Sequence, residues 1–432
     1  MRGLFYLLVV LSVLSGRQAE PDPKPNRNKE KSVRRLDDED SVIICGYEDD
    51  QLDTHENSFI KFAMNSYQRV LDQAGGNFVY SPYSTWLSMA AIVEGSEDRK
   101  NLDDILGLPL DWCVRKRYEK IILDVEKPSS DVNILRTRAF VIDDNLRLRE
   151  PWQAFVPDHL HQNLIIAPIN SEPITAAYAI RQIINFQFQE LDLSGNSVLL
   201  DSMDYAGLWK TSFPELLNKQ PFYDNSGNQI GWVDMMKTKM RVKMTYVEEL
   251  KTKILELPVG RDGYYRMLIG YTNDNIDLLE LYKDTDLNIT RITDSLKESS
   301  IPMEIQIPRF SIHTELNMRN ILEAMGVTSI WAEPSVTRHI SDPPALPSAY
   351  IQRTTVSIET AGIAPPSDLP GPEPTKENNV LPEPAPVEED TGLDAVIGRD
   401  FIANRPIIFG LFDAKMYTCL FIGSFSLPTY VL

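Results

Sequence analysis

The sequence predicts an α+β protein. Helix-like and strand-like segments follow one another without the regular alternation that builds a doubly wound parallel sheet. Helical spacing of apolar residues marks residues 59–71, whereas two strongly apolar strands, 407–412 and 417–425, lie near the end of the chain. Hydrophobic residues make up 43% of the chain and charged residues 24%, which is typical of a globular protein with a buried core.

The elements between these ends are bounded by start and stop signals. A short strand over residues 77–80 leads into Ser81 and Pro82, which can begin a helix because proline lacks only an N–H that is unused there. The helix over 83–93 is apolar nearly all round and is predicted to be buried. A further helix is predicted over 316–325. Further strands are predicted over 198–205, 231–236, 241–248, 254–258 and 264–271.

The charge balance excludes one class of function. The chain has 62 acidic and 43 basic residues and a formal net charge of −19, which argues against general nucleic-acid binding. A well-solvated acidic surface is the simplest interpretation. One basic run, Arg115 to Arg117 with Lys120, falls in a helix-like segment, and we expect it to form a solvated face.

The first 19 residues resemble a secretory signal peptide. Met1 and Arg2 give a short positive start, and residues 4–14 form an apolar run too short to span a bilayer. Ala19 and Gly16 compete as the cleavage position. No later segment has the apolar length of a membrane helix. We therefore expect a secreted, extracellular protein without a membrane span.

Two segments differ in composition from the rest of the chain. Residues 20–41 are charged and proline-bearing and are predicted to form a flexible tail ahead of one domain over 42–432. Within that domain, residues 362–399 are rich in proline and glutamate and nearly free of aromatic residues. A loop of this length inside a compact domain is normally functional or disordered, and its composition favours an exposed, polyproline-like segment.

The three cysteines do not form a disulfide scaffold or a zinc site. Cys419 lies in an apolar stretch and is predicted to be a buried thiol. Cys45 and Cys113 are the preferred disulfide pair, although an odd count leaves at least one thiol free or paired with another chain. Asn288 begins an Asn-Ile-Thr glycosylation sequon, which in a secreted chain favours a glycoprotein.

No pattern in the sequence indicates an enzyme. There is no nucleophile elbow, phosphate loop or paired-carboxylate motif. His159 and His161 could supply metal ligands, but no further ligand cluster follows, so we favour a surface turn beside Pro157. We expect no cofactor and no metal.

Six short segments, in this order along the chain, resemble the serpin family over roughly residues 58–428. Asp201 stands where the family has asparagine, and Asn404 and Arg405 replace an acid and a histidine. Each segment is short, but their order and spacing together make the resemblance specific. The segments are 77–84, 201–209, 233–236, 257–258, 308–310 and 401–406.

The resemblance implies the serpin fold, with three β-sheets, about eight to nine helices and an exposed reactive loop over about residues 360–400. It also implies a mechanism. An inhibitory serpin offers this loop to a serine protease; after cleavage the loop inserts into the main sheet as a new strand and distorts the acyl-enzyme. No catalytic side chain is needed, only a loop that can become a strand.

The hinge of that loop departs from the inhibitory pattern. The hinge glycine corresponds to Gly362, and inhibitory serpins follow it with threonine or serine and then alanines. In this chain Ile363 is bulky at the point where insertion should begin, and prolines, which lack an N–H, follow immediately. The hinge residues are Thr360, Ala361, Gly362, Ile363, Ala364, Pro365 and Pro366.

Two functions follow from the resemblance. We favour a non-inhibitory, monomeric serpin that acts as an extracellular binding or regulatory protein. The alternative is a suicide inhibitor of a trypsin-like serine protease, cleaved at Lys376. Lys376 is reached by counting forward from Gly362 at the family's usual hinge-to-cleavage spacing. Counting back from Phe401 reaches Asp394 instead. The two positions differ by 18, so the loop is longer than usual by that number of residues. The partner would be an extracellular serine protease or another extracellular protein.

Overall fold

The computed structural model describes residues 33–34, 42–43, 58–109, 112–126, 131–187, 191–272, 275–277, 289–364, 400–415 and 417–431. Within these ranges it contains nine α-helices, three large sheets and two small two-stranded sheets, with mixed α+β content. The predicted signal peptide and most of residues 20–41 lie outside the described residues.

The helices begin and end at recognisable residues. The second one starts at Pro82, one residue before the predicted start, because the Ser81 hydroxyl accepts the Ser84 N–H at 3.2 Å. All twelve of its residues are buried, as its apolar sequence predicts. The helices are α1 Ser58–Ala74, α2 Pro82–Val93, α3 Arg99–Leu106, α4 Trp112–Leu123, α5 Glu150–Leu160, α6 Pro173–Ile184, α7 Ile289–Ser295, α8 Met318–Ala324 and α9 Ser329–Ala332.

The strands include every predicted one, with ends shifted by a few residues. In chain order they are β1 Val33–Arg34, β2 Val42–Ile43, β3 Phe78–Tyr80, β4 Val132–Asp143, β5 Arg147–Leu148, β6 Asn163–Ala167, β7 Ser197–Leu208, β8 Glu215–Tyr223, β9 Gln229–Met240, β10 Lys243–Val247, β11 Thr252–Val259, β12 Tyr265–Tyr271, β13 Lys297–Glu298, β14 Met303–Asn317, β15 Ser341–Asp342, β16 Pro347–Ile358, β17 Gly362–Ala364, β18 Asp400–Ile402, β19 Ile407–Asp413, β20 Cys419–Phe425 and β21 Tyr430–Val431.

Three large sheets result from the pairing of these strands, besides the two-stranded sheets β1-β2 and β5-β15. The main sheet has the order β14-β16-β17-β7-β4-β6, and the back sheet has the order β13-β10-β11-β12-β19-β20-β3. A third sheet contains β21, β9 and β14, with β8 paired to β9 and β18 paired to β14. The long strand β14 joins two of the sheets, since residues 303–309 pair with β9 and residues 310–317 pair with β16.

Both faces of the main sheet are covered by apolar packing. On the inner face, Tyr205 of β7 meets Phe421 of β20 with ring centroids 5.9 Å apart, which joins the main sheet to the back sheet. On the outer face, Ile180 of α6 packs with Leu200 of β7 and Ile351 of β16. The main sheet is therefore buried on both sides where α6 crosses it, so its strands cannot shift without disturbing two cores.

Two sequence interpretations change in the structure. The basic run was expected to be a solvated face, but Arg115 is 3% exposed and pairs with Asp103, while Lys116 reaches Glu94 at 3.1 Å. These cations neutralise carboxylates buried between α2, α3 and α4, where an unpaired charge would be strongly destabilising. The predicted helix over 316–325 begins two residues later, because β14 continues to Asn317, whose side chain caps α8.

The two histidines lie in different backbone environments at the end of α5. His159 lies inside α5, not in a turn, and its ring stacks on Phe155 at 4.3 Å between centroids. His161 follows the helix in the left-handed conformation. The described residues contain no cluster of three or more ligands for a metal ion. Among the described residues, no helix is long and apolar enough to cross a membrane.

Candidate functional site at the loop hinge

The hinge lies inside the main sheet. The short strand β17 sits between β16 and β7, with Ile363 opposite Ile358 on one side and Gly207 on the other. Ile363 is 3% exposed. The first residues of the loop stem therefore already occupy the gap that opens between these two strands. The expectation that the bulk of Ile363 would hinder this first step is wrong, because the side chain fits into the core.

A tight turn reverses the chain between β16 and β17. The Glu359 N–H donates to the Gly362 carbonyl at 2.8 Å, and the Gly362 N–H donates to the Glu359 carbonyl at 3.1 Å. The Glu359 carboxylate accepts a hydrogen bond from Arg309 Nε at 2.6 Å. This turn sets the register in which the loop stem enters the sheet.

The end of β7 holds the same turn from the other side. The Trp209 backbone N–H donates to the Ala361 carbonyl at 3.0 Å, and the Phe213 N–H donates to the Thr360 carbonyl at 2.9 Å. The Trp209 indole Nε1 donates to the Glu359 carbonyl at 2.8 Å. Three consecutive carbonyls of the turn are thus satisfied by one short segment, which fixes the hinge against β7.

Glycine at position 362 is required by close approach of two backbones. A Cβ added at Gly362 would lie 2.1 Å from the Gly207 carbonyl oxygen and 2.8 Å from the Leu208 Cα. Both are backbone atoms that cannot turn away as a side chain would. Gly362, which the sequence predicts to be the hinge glycine, is the first residue of β17.

Beyond the hinge, β16 and β7 pair directly in parallel. Gln352 lies opposite Asp201 in this register. On the inner face, Gln352 Nε2 donates to Asp201 Oδ2 at 2.7 Å and to the Ser81 carbonyl at 3.0 Å, and Gln352 Oε1 accepts the Ser81 N–H at 2.8 Å. One side chain therefore connects both strands to the start of α2, and every one of these contacts is buried.

The Asp201 carboxyl group is fully buried, which disfavours its charged form. Burial raises its pKa to about 6, although the hydrogen bond from Gln352 and the positive charge of Arg138 act in the opposite direction. Arg138 of β4 stands opposite Asp201, is itself buried, and donates to the Leu160 carbonyl at 2.8 Å. Burial lowers the pKa of Arg138 to about 10, so this side chain stays charged at neutral pH.

A second side-chain contact crosses the same pair of strands on the outer face. Arg353 of β16 contacts both carboxylate oxygens of Asp204 of β7, at 3.0 and 3.2 Å. Arg353 also donates to the Ile184 carbonyl at the end of α6, at 3.2 Å. Since neighbouring residues of a strand face opposite sides, Gln352 and Arg353 hold β16 against β7 on both faces.

The described part of the chain brings five of the predicted hinge residues together, Thr360 to Ala364. Pro365, Pro366, the candidate scissile residue Lys376, the glycosylation candidate Asn288 and Cys45 lie outside the described residues, as does the side chain of Cys113. Cys419 is a buried free thiol, as predicted, and burial raises its pKa.

Sequence reasoning missed the residues that hold the two strands together. Gln352 and Arg353 are neighbours on β16, and alternation places them on opposite faces, but their partners are far away in the chain. Asp201 was noted only as a departure from the family asparagine. What the described residues of this region show is a tight turn and side chains that join β16 to β7 on both faces.

The comparisons with known proteins agree with this architecture. Residues 57–428 match the family model described as serpin (serine protease inhibitor), and the chain belongs to the serpin family.

Three relatives illustrate the range of the match. The chain is 24% identical over 397 residues to an uncharacterized serpin-like protein of the archaeon Methanosarcina mazei, covering 85% of this chain and 86% of that one. The structure superposes on Serpin48 of the insect Tenebrio molitor with a TM-score of 0.69 at 18% identity, covering 88% and 99%. It superposes on human thyroxine-binding globulin with a TM-score of 0.70 at 15% identity, covering 86% and 98%. At these identities the two structures support the fold alone.

Asp201→Asn is expected to stabilise the protein at neutral pH by roughly 1–3 kcal/mol, because asparagine accepts the Gln352 hydrogen bond without a buried charge. Folding raises the pKa of Asp201, so its contribution to the free energy of unfolding falls as pH rises from about 4 through about 6. The advantage of the variant should therefore be largest at pH 7.5 and disappear near pH 4. Denaturant unfolding across this range measures it.

The control is Asp204→Asn on the same strand, which removes the partner of Arg353 and should not stabilise the protein at any pH. An Asp201→Asn variant with the same advantage at pH 4 and pH 7.5 would contradict the assignment of a buried, partly ionised carboxyl.

Gly362→Ala is expected to expel β17 from the sheet, because the new Cβ would collide with the Gly207 carbonyl. Hydrogen exchange read by mass spectrometry should then show faster exchange in residues 205–208 and 357–358. Ala361→Ser, at a partly exposed position of the same turn, should leave exchange unchanged. Equal protection in both variants would show that β17 does not hold this position.

Proposed function

We propose that the protein is a secreted, monomeric serpin that is not an efficient suicide inhibitor and that acts as an extracellular binding or regulatory protein. The signal-peptide pattern of residues 1–19 supports secretion. The observation that carries the non-inhibitory assignment is the register of β17 together with the sequence that follows it.

Continuing β17 in its observed register shows what a longer inserted strand would require. Ala364 lies opposite Ser357 of β16, so Pro365 would follow opposite Val356 and Pro366 opposite Thr355. On its other edge the strand would run along β7. A central strand donates each N–H to one of its two neighbours, but proline has none to donate. The row of hydrogen bonds would therefore fail immediately after Ala364.

The missing N–H donor recurs along the loop stem that follows Ala364. Five of the ten residues 365–374 are proline, at positions 365, 366, 370, 372 and 374. Each missing donor leaves a neighbouring carbonyl unpaired inside the sheet, at a cost on the order of 1–3 kcal/mol. Insertion competes with deacylation of the protease, so slow or incomplete insertion turns an inhibitor into a substrate.

A second candidate function is inhibition of a trypsin-like serine protease at Lys376. The observation in its favour is that residues 362–364 already lie between β16 and β7, so the sheet does open at this end. Lys376 and Arg399 are the two basic residues between positions 365 and 400, and a trypsin-like protease would therefore cut the loop at one of them.

A carrier or binding role lies within the range of this fold. One structural neighbour is thyroxine-binding globulin in complex with thyroxine. That neighbour has the same architecture with a small-molecule ligand, which supports the plausibility of a ligand-binding serpin without identifying a ligand for this chain.

The decisive experiment is incubation with trypsin, followed by a denaturing gel and a thermal melt of the cleaved protein. We expect plain cleavage at Lys376, no stable covalent complex and a melting temperature that rises little. A variant with alanine at positions 365, 366, 370, 372 and 374 restores the five N–H donors and should melt tens of degrees higher after cleavage.

Lys376→Ala is the matched control, since it keeps the prolines and removes the expected cut at Lys376, which leaves Arg399 as the one basic residue between positions 365 and 400. A covalent complex together with a large rise in melting temperature for the natural chain would overturn the proposal and favour the inhibitory alternative. A large rise without a complex would show instead that the loop inserts, but too slowly to trap the protease.

Expression in a secretory host should release a protein whose N-terminus lies between about Arg17 and Glu20, as read by mass spectrometry. Its mass should fall on treatment with an amidase that removes N-linked glycans, and Asn288→Gln should abolish that difference. Retention of Met1 in a cytosolic product would contradict the proposed secretion; an unglycosylated secreted chain would contradict only the glycan assignment.

A further inference from the structure

A cleft of about 400 Å³ lies next to the hinge, where the end of β7, the connection from β9 to β10 and the end of β11 meet. Its volume is in the range of pockets that hold small organic molecules. Part of its wall is apolar, formed by Trp209, Val242, Leu257 and Pro258.

The rest of the wall is charged and mostly positive, in a chain whose net charge is −19. Four cations line the cleft against two carboxylates. The cations are Lys210, Arg241, Lys243 and Arg266, and the carboxylates are Glu256 and Glu298. A local excess of positive charge in a strongly acidic protein is selective for an anion, because the surrounding surface repels one.

Two of the four cations, Lys243 and Arg266, are attracted by the Glu256 carboxylate without being hydrogen-bonded to it. Lys243 Nζ lies 3.9 Å and Arg266 Nη1 lies 3.8 Å from Glu256 Oε1, and both distances exceed hydrogen-bond length. The two groups are therefore oriented toward one point while their donors are still able to bind an oxyanion. The Glu256 side chain is nearly buried and holds both cations at the wall of the cleft.

We propose that this cleft binds a small organic anion, an aromatic carboxylate or sulfonate. The anionic group lies between Lys243 and Arg266, and the ring system packs against Trp209. A charged group that receives hydrogen bonds from both cations and a flat apolar body match the two parts of the wall. A long polyanion fits less well, since the two glutamates of the wall and the net negative charge of the chain oppose it.

Trp209 connects the cleft to the hinge. Its indole lines the cleft, while its backbone N–H and Nε1 donate to the carbonyls of Ala361 and Glu359. A ligand packed on this indole restrains the segment that fixes β17. Bound ligand should therefore slow hydrogen exchange in residues 359–364. This binding site goes beyond the proposed non-inhibitory role and does not depend on how the loop reacts with a protease.

The test is calorimetric titration of the full-length secreted protein with 1-naphthalenesulfonate and 1-naphthoate, and with the uncharged 1-naphthalenesulfonamide. We expect binding of at least one anion, with affinity at least about tenfold weaker for the amide and for Lys243→Ala/Arg266→Ala. Lys219→Ala removes an exposed cation on β8, outside the cleft, and should bind like the natural chain. Anion binding should also quench tryptophan fluorescence.

Equal affinity of the double variant and the natural chain, or of the amide and the anions, would overturn the proposal. The proposal would also be overturned if neither of the two anions bound at concentrations up to about 1 mM. If the double variant melts at a lower temperature, Lys243→Ala alone replaces it, because this side chain is 53% exposed and its removal should not affect folding. Protease inhibition is not measured in this experiment, so its outcome is separate from that of the trypsin assay.

Discussion

The parallel pairing of β16 with β7 is the interaction on which the rest of the structure depends. Both strands lie in the interior of the main sheet, with β14 bonded to the other edge of β16 and β4 to the other edge of β7. Separating them exposes a row of N–H and C=O groups on both strands, and buried backbone groups must be paired. Any segment that enters between them must therefore supply a complete row of donors and acceptors.

The energetic balance of insertion is decided by the backbone. Inserting residues 365–374 moves β16 and β7 apart by about one further strand spacing, roughly 4.8 Å, which breaks the Gln352–Asp201 and Arg353–Asp204 contacts. Among these ten residues Leu369 is the one large apolar side chain, and its burial contributes about 1.5–3 kcal/mol. Five missing N–H donors together cost more than that, on the order of 5 kcal/mol or above.

The elements that could be predicted from the sequence are those that a single short segment is enough to recognise. The buried helix α2 and the C-terminal strands β19 and β20 are apolar enough to be recognised by themselves, and the hinge glycine was located by counting along a motif. The pairing of Gln352 with Ser81 could not be predicted, because the two residues are 271 positions apart and neither belongs to a periodic pattern. The buried role of Arg115 was missed because its partners lie in other elements, Asp103 in α3 and Glu94 directly after α2.

The C-terminal end of β7 belongs to two sheets at once. Residues 207–208 pair with β17, and immediately afterwards Trp209 forms a bridge to Val259 of β11 while the Lys210 N–H donates to the Pro258 carbonyl at 3.0 Å. The main sheet and the back sheet are thus joined at the point where the loop stem enters. If β17 moves, Trp209 loses the carbonyls of the hinge turn, and the wall of the neighbouring cleft changes with it. A ligand that binds the cleft with different affinity in the two positions of the hinge would be thermodynamically linked to the hinge through these backbone hydrogen bonds and the Trp209 indole, and each would influence the other by the same free energy.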